Sequence, residues 1–151
     1  MRAAGWDTGQ GYLGLQFAGV GRDFPVIQDI IAMYQGEHQD VPEYIGEVYY
    51  NRGVLVGALM VEGLRLAIEQ EGLPVTGEKV KRGHERIKEF TLDGFLPPLT
   101  ITTEDHEGGG WVQLYQTKGE TLVPVTAWFR GYRDLVLEEV KKAGQQEAEK
   151  K

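Results

Sequence analysis

A chain of 151 residues fits one domain, and its 41% hydrophobic and 26% charged residues are those of an ordinary soluble protein. A formal net charge of -7 argues against nucleic acid or anionic lipid as a partner, because neutralising phosphates needs a basic face. The absence of cysteine removes disulfides, thiolate metal sites and cysteine nucleophiles.

Residues 1–11 are glycine-rich and polar, with Trp6 as their large apolar group, and read as a flexible lead. No export signal is expected there, since Asp7 lies in the stretch and the apolar core and cleavage site of a signal peptide are missing. From Tyr12 the run YLGLQF alternates, which predicts a short strand with Leu13, Leu15 and Phe17 on one face. Gly19, Gly21 and Asp23 mark a loop. Pro25 is placed to open a helix, where its missing N–H costs nothing. Val26, Ile27, Ile30, Ile31 and Tyr34 supply that helix's stripe, and Gly36 closes it.

After the polar connection Glu37–Glu43 comes EVYYNRGVLVGALMVEGLRLAIEQEG, Glu47–Gly72, which predicts one long helix starting between Ile45 and Tyr50. It is apolar nearly all round, with Glu62, Arg65 and Glu69 as a single wet stripe, so it must be wrapped by other protein, and Leu59 and Leu64 are expected inside. Gly72 suits a left-handed cap, and Pro74 cannot continue the helix. Its uncharged stretch Gly53–Val61 falls well short of the roughly 20 residues a membrane span needs.

Thr76 is the expected N-cap of a third helix running to about Phe90, with Val80, Ile87 and Phe90 inward and His84 on its solvated face. Lys79 stands where a capping box would need Glu or Gln. Leu92–Pro98 reads as a turn-rich connector. Three strand-like runs follow, at 99–103, 111–116 and 121–128, with a hairpin at Thr117–Glu120 around Gly119. Pro124 demotes the last run to an edge or bulged strand. A helix from about Tyr132 to Ala143 decays into a charged, fraying tail. The order is α/β or α+β with incomplete strands. Too few strands are present to wrap the long helix, which suggests part of a larger two-part architecture.

The succession GYLGLQF, FPVIQDIIAMY, EVYYNRGVLVGALMVEGLRLAIEQEG, TGEKVKRGHERI, PPLTITTEDHEGGGWVQLYQ and VTAW, over residues 12–130, resembles the C-terminal third of periplasmic solute-binding proteins of branched-chain amino-acid-type ABC transporters. The resemblance implies an α/β fold: a partial doubly wound lobe of the type I periplasmic-binding-protein fold, helix-rich with a few strands and a β-hairpin. It implies a periplasmic or extracellular receptor for amino acids or similar small polar organics that serves a membrane permease. The first lobe's opening βαβ units and most of the second lobe have no counterpart in this sequence. Residues 131–151 lie beyond the resemblance.

Tyr44, Tyr49 and Tyr50, just before and within the start of the long helix, are the candidate ligand-binding residues, able to offer an aromatic wall and hydroxyl groups; packing of the helix start is the competing role. Tyr44 is favoured by the resemblance. Asp105 and His106 concentrate acid and imidazole, but as neighbours in extended chain they point apart, and a turn closed by Asp105 is the simpler reading. No metal, cofactor or catalytic motif is expected. The readings in play are a receptor for small zwitterions, a self-associating interaction protein without ligand-binding activity, expected as a homo-oligomer, and, distantly, a hydrolase using Asp105 and His106.

Overall fold

A computed structural model describes residues 5–148; residues 1–4 of the expected lead and 149–151 of the expected tail lie outside them. The described residues form helices α1 (Pro25–Gly36), α2 (Val48–Glu71), α3 (Gly77–His84) and α4 (Arg133–Ala148) and strands β1 (Leu13–Gln16), β2 (Trp111–Lys118), β3 (Thr121–Pro124) and β4 (Phe129–Arg130). Every strand pairing is antiparallel, in the order β1-β2-β3 with β4 also on β2. The parallel layers of a doubly wound lobe are therefore not found among the described residues.

Local signals place most helix ends. Pro25 occupies the first turn of α1, and Ile27 is fully buried beneath it. Gly72 ends α2 at φ 67°, a left-handed conformation that costs glycine little. Thr76 Oγ1 accepts from the Lys79 N–H and caps α3. The Lys79 side chain reaches back instead: its Nζ donates to the carbonyls of Glu71, Gly72 and Pro74 and satisfies the open C-terminal end of α2.

The main core joins Ala18, Ile27, Ile45, Leu55, Phe95 and Leu96. Phe95, fully buried, meets the Phe24 ring edge to face at 5.0 Å. The connector Leu92–Pro98 thus supplies the largest fully buried side chain among the described residues, which no periodicity announced.

α3 docks on the second half of α2 through small residues. A methyl group added at Gly83 would stand 2.1 Å from the Gly63 carbonyl oxygen, and one at Gly63 would stand 2.4 Å from the His84 ring. His84 is therefore not a solvated-face residue: it is half-buried over Gly63, with Nδ1 bonded to the Val80 carbonyl at 2.9 Å. The helix stops at His84, short of the expected Phe90. Ile87 is buried as foreseen, but beyond the helix, and Phe90 pairs with Leu99 in an isolated bridge instead of opening a strand at 99–103. At the far end of the contact Glu71 receives both Arg82 and Arg86.

The hairpin turns at Gly119, φ 59°. The expected strand 121–128 is broken: Pro124 ends β3, and β4 resumes pairing with β2 two residues out of register. Thr126 fills the gap, its Oγ1 accepting from the Leu114 N–H and its carbonyl from the Gln113 amide.

Two apolar faces are open. On β1 the alternation is as expected, and the face it groups is the outer one: Leu13 and Leu15 are 49% and 53% exposed, while Gly14 and Gln16 turn inward and Ala18 is buried. On α2, Val56, Met60, Val61, Leu64 and Ile68 are exposed, so the expectation of a buried Leu64 fails, whereas Leu59 is half-buried against the core. A helix apolar all round needs cover on every side. α3 and the main core cover only part of α2.

Substitutions at the α2–α3 contact should separate the two sides of the helix. Gly83→Ala should lower unfolding free energy by about 1–3 kcal/mol through overpacking, and Leu64→Ala should cost less than ~1 kcal/mol. Urea titration of the two variants checks this, and a larger loss at Leu64 would mean that its side of α2 is covered.

Glu71 gives a pH signature. Its hydrogen bonds from Arg82 and then Arg86 hold its carboxyl down at about 2, against an ordinary 4.5. A depressed acid stabilises the fold above its unfolded pKa and loses that contribution as protons bind. The stability gap between the native chain and Glu71→Gln should be widest above pH 4.5 and close between about 4.5 and about 2; thermal melts across that range that show a constant gap would contradict the clasp.

Candidate functional site

The start of α2 faces an open cleft of about 820 Å³ whose other walls come from β1, the loop after it and the β2–β3 hairpin. The loop is fixed from several directions. Asn51, fully buried on the first turns of α2, donates its side-chain amide to the Gly19 carbonyl at 2.9 Å and to the Gly21 carbonyl at 3.0 Å. Gly21 N–H donates to the Gly46 carbonyl, and Gly46 has φ 91° with the Arg22 side chain where a methyl group would stand. Only glycine fits that position. From the sheet, Tyr115 of β2 is buried near the Val20 N–H; burial outweighs the opposing pull of that N–H and raises the phenol's pKa, so it stays protonated at neutral pH.

The cleft wall is aromatic, with Trp6, Tyr12, Tyr49 and Tyr115, and charged, with Arg22, Glu47, Arg52 and Glu120. Arg22 is committed to structure: Nε donates to the Ile45 carbonyl, and one Nη to those of Pro42 and Glu43. Arg52 is differently placed. Its guanidinium carbon lies 4.7 Å from the Phe17 ring centre and 5.6 Å from that of Tyr49, and its Nη2 donates to Gln16 Oε1 at 2.8 Å.

The three tyrosines separate. Tyr49, 83% exposed, lines the cleft. Tyr44 and Tyr50 do not line it; they pack against each other with ring centres 5.6 Å apart. Tyr50 belongs to the rim of the main core, where burial, then Tyr34 and Tyr44, raise its phenol's pKa. Gln16, Arg22 and Arg52 were not expected at a site. Arg52 had a signal: three residues after Tyr49 on a helix, it shares the tyrosine's face.

Asp105 and His106 do not converge. Asp105 Oδ1 accepts from the Glu107 and Gly108 N–H groups and closes the turn, and its other oxygen pairs with Arg133. Burial pushes its carboxyl up, but Arg133 and the Gly108 N–H outweigh that and hold it below the ordinary value. His106 Nε2 meets Glu85 Oε1 at 3.0 Å on α3's side of the loop. Arg133 also binds Glu107, which fastens the start of α4 to the turn.

The fold is similar to part of two solved proteins described as ABC transporter components. It superposes on a protein described as an ABC transporter permease from the Pseudomonas fluorescens group with a TM-score of 0.78 and 26% identity, covering 93% of this chain and 37% of that one. It also superposes on a branched-chain amino acid ABC transporter from Thermus thermophilus with bound valine, with a TM-score of 0.71 and 24% identity over 89% of this chain and 36% of that one. The chain thus spans little more than a third of the length of either. No protein-family model matches it, and no curated protein does. Among the described residues no helix is long and apolar enough to cross a membrane.

Asn51 should hold the cleft floor. Asn51→Ala strands the Gly19 and Gly21 carbonyls and should cost about 1–3 kcal/mol in unfolding free energy, with amide exchange at residues 19–21 accelerating more than in α3. An Asn51→Ala chain as stable as the parent would show that the loop is held by other means.

Proposed function

We propose that this chain is the ligand-binding part of a receptor for an ABC-type uptake transporter, periplasmic or extracellular, that captures amino acids or similar small polar organic molecules for a membrane permease. The observation that carries this reading is the cleft at the start of α2, where aromatic side chains stand beside groups of both charges, Arg52 and Glu120 among them. That mixture suits a zwitterion: charged ends need opposite charges, and an apolar body needs aromatic cover. The likeness to a transporter protein with bound valine is consistent with it.

In a two-lobe receptor, ligand contacts made only when the lobes meet shift the population toward the closed form. This chain spans about a third of its structural neighbours, so it offers one wall of such a site. One wall gives few contacts to offset the cost of ordering a small molecule. The isolated chain should therefore bind L-valine only at about millimolar strength, roughly 4 kcal/mol. NMR titration should move resonances of Gln16, Tyr49 and Tyr115 together. No movement of those residues at tens of millimolar would reject the receptor reading, and micromolar one-site binding would reject the view that the site has a second wall elsewhere.

The open face of α2 favours a second behaviour, self-association. Met60 is 62% exposed beside Val56, Val61 and Leu64, and apolar area returns about 25 cal/mol per Å² when covered. Sedimentation at micromolar concentration should give a dimer or larger, and the Val56→Glu, Met60→Glu double variant should shift it toward monomer. A compact parent monomer would defeat this.

A further inference from the structure

We infer that Arg52 is the recognition residue for a carboxylate group in the cleft, so that the ligand is a small carboxylic acid held end-on by a guanidinium; the inference rests on the ligand-binding reading of the cleft. Two arginines line that cavity, and their hydrogen bonding differs sharply. Arg22 spends its donors on three backbone carbonyls. Arg52 makes one hydrogen bond, to Gln16, and has no carboxylate partner among the described residues. Its Nε is buried without an acceptor.

A half-buried guanidinium in that state is costly, because burial removes water without supplying a counter-charge. The surroundings support the ion by its faces and bury its Nε, so the donors left for the cleft are those of the two Nη groups: Phe17 and Tyr49 offer their rings, which attract the cation but accept no directed hydrogen bond. What is missing is a planar anion with two acceptor oxygens, and a carboxylate matches the guanidinium fork. Gln16, itself a cleft residue, holds one Nη2 donor and thereby sets the plane in which the remaining edge points. Tyr49, largely exposed and three residues upstream on the same helix face, is placed to cover the ligand's body.

The competing role for Arg52 is a strap from α2 to β1 through Gln16, and the test must tell the two apart. L-valine and L-valinamide, which lacks the carboxylate, are titrated into the whole chain while the cleft resonances and the Arg52 Nε–H signal are followed by NMR. Valine should shift the Arg52 Nε–H signal and bind at least ~10-fold more tightly than valinamide, the loss expected when a charge-assisted pair is removed. Arg52→Gln should erase that preference by weakening valine and leaving valinamide unchanged, and Arg52→Lys, which keeps charge but not the fork, should restore part of it. Equal binding of valine and valinamide to the parent chain, a comparison that needs no variant to fold, overturns the assignment while leaving the cleft as a binding site. Equal losses for both ligands in Arg52→Gln also overturn it and make Arg52 a strap. If neither compound moves the cleft resonances, the receptor reading falls and the assignment falls with it.

Discussion

The side-chain amide of Asn51 ties the start of the long helix to the loop after the first strand, and that tie helps to set the cleft floor. Two hydrogen bonds from one buried group fix two carbonyls two residues apart, which sets the loop's curvature. The arrangement is not free of cost: Asn51 Oδ1 is buried with no partner. An unpaired buried acceptor costs on the order of 1–3 kcal/mol. The fold bears that cost where helix, loop and sheet meet, with Ile45, Leu55 and Phe95 in the adjoining core.

From that junction α2 runs outward, and its surroundings change along its length. Near the start it is covered by the main core; farther on, Gly63 and Ala67 admit α3 at backbone-to-backbone distance. Elsewhere its valines, methionine and leucine meet water. A free helix of this composition would gain by covering them, and the described residues hold nothing to do so. The structural neighbours are nearly three times as long as the share this chain matches. The outward Leu13 and Leu15 on β1 are a second uncovered apolar face, although an antiparallel strand usually turns its apolar side to a core.

Much of the local structure was legible because its causes are local. Pro25, Gly72, Thr76 and Gly119 each act within one turn of chain, and each does what its chemistry dictates. Periodicity also grouped residues correctly, for Leu13 and Leu15 do share a face. It could not say what that face meets, since burial depends on the partner layer rather than on the strand. The same gap put Leu64 inside and His84 outside: the glycine opposite His84 makes room for its ring, a fact recorded at position 63 and not at 84. Phe95 escaped notice because a connector has no period. Of the candidate site, one tyrosine in three reached the cleft. Tyr49 and Tyr50 are neighbours on a helix, about 100° apart, so both could not face the same way.

The fate of long cations at the junctions separates structural from chemical roles. Lys79 gives its three protons to three carbonyls at the end of α2, and Arg22 gives its own to three carbonyls of the 42–45 turn. Arg133 takes two carboxylates and so locks α4 to the 105–107 turn. In each case the positive group sits where backbone carbonyls or an acid would otherwise be left unsatisfied. Arg52 breaks that rule where the wall is concave, aromatic and open. An acid is at hand, since Glu120 lines the same cleft from the hairpin. Arg52 turns instead to Gln16 and two rings. A guanidinium left without a counter-charge in a concave wall is a group that a ligand's carboxylate would match, which is the ground of the proposal for Arg52.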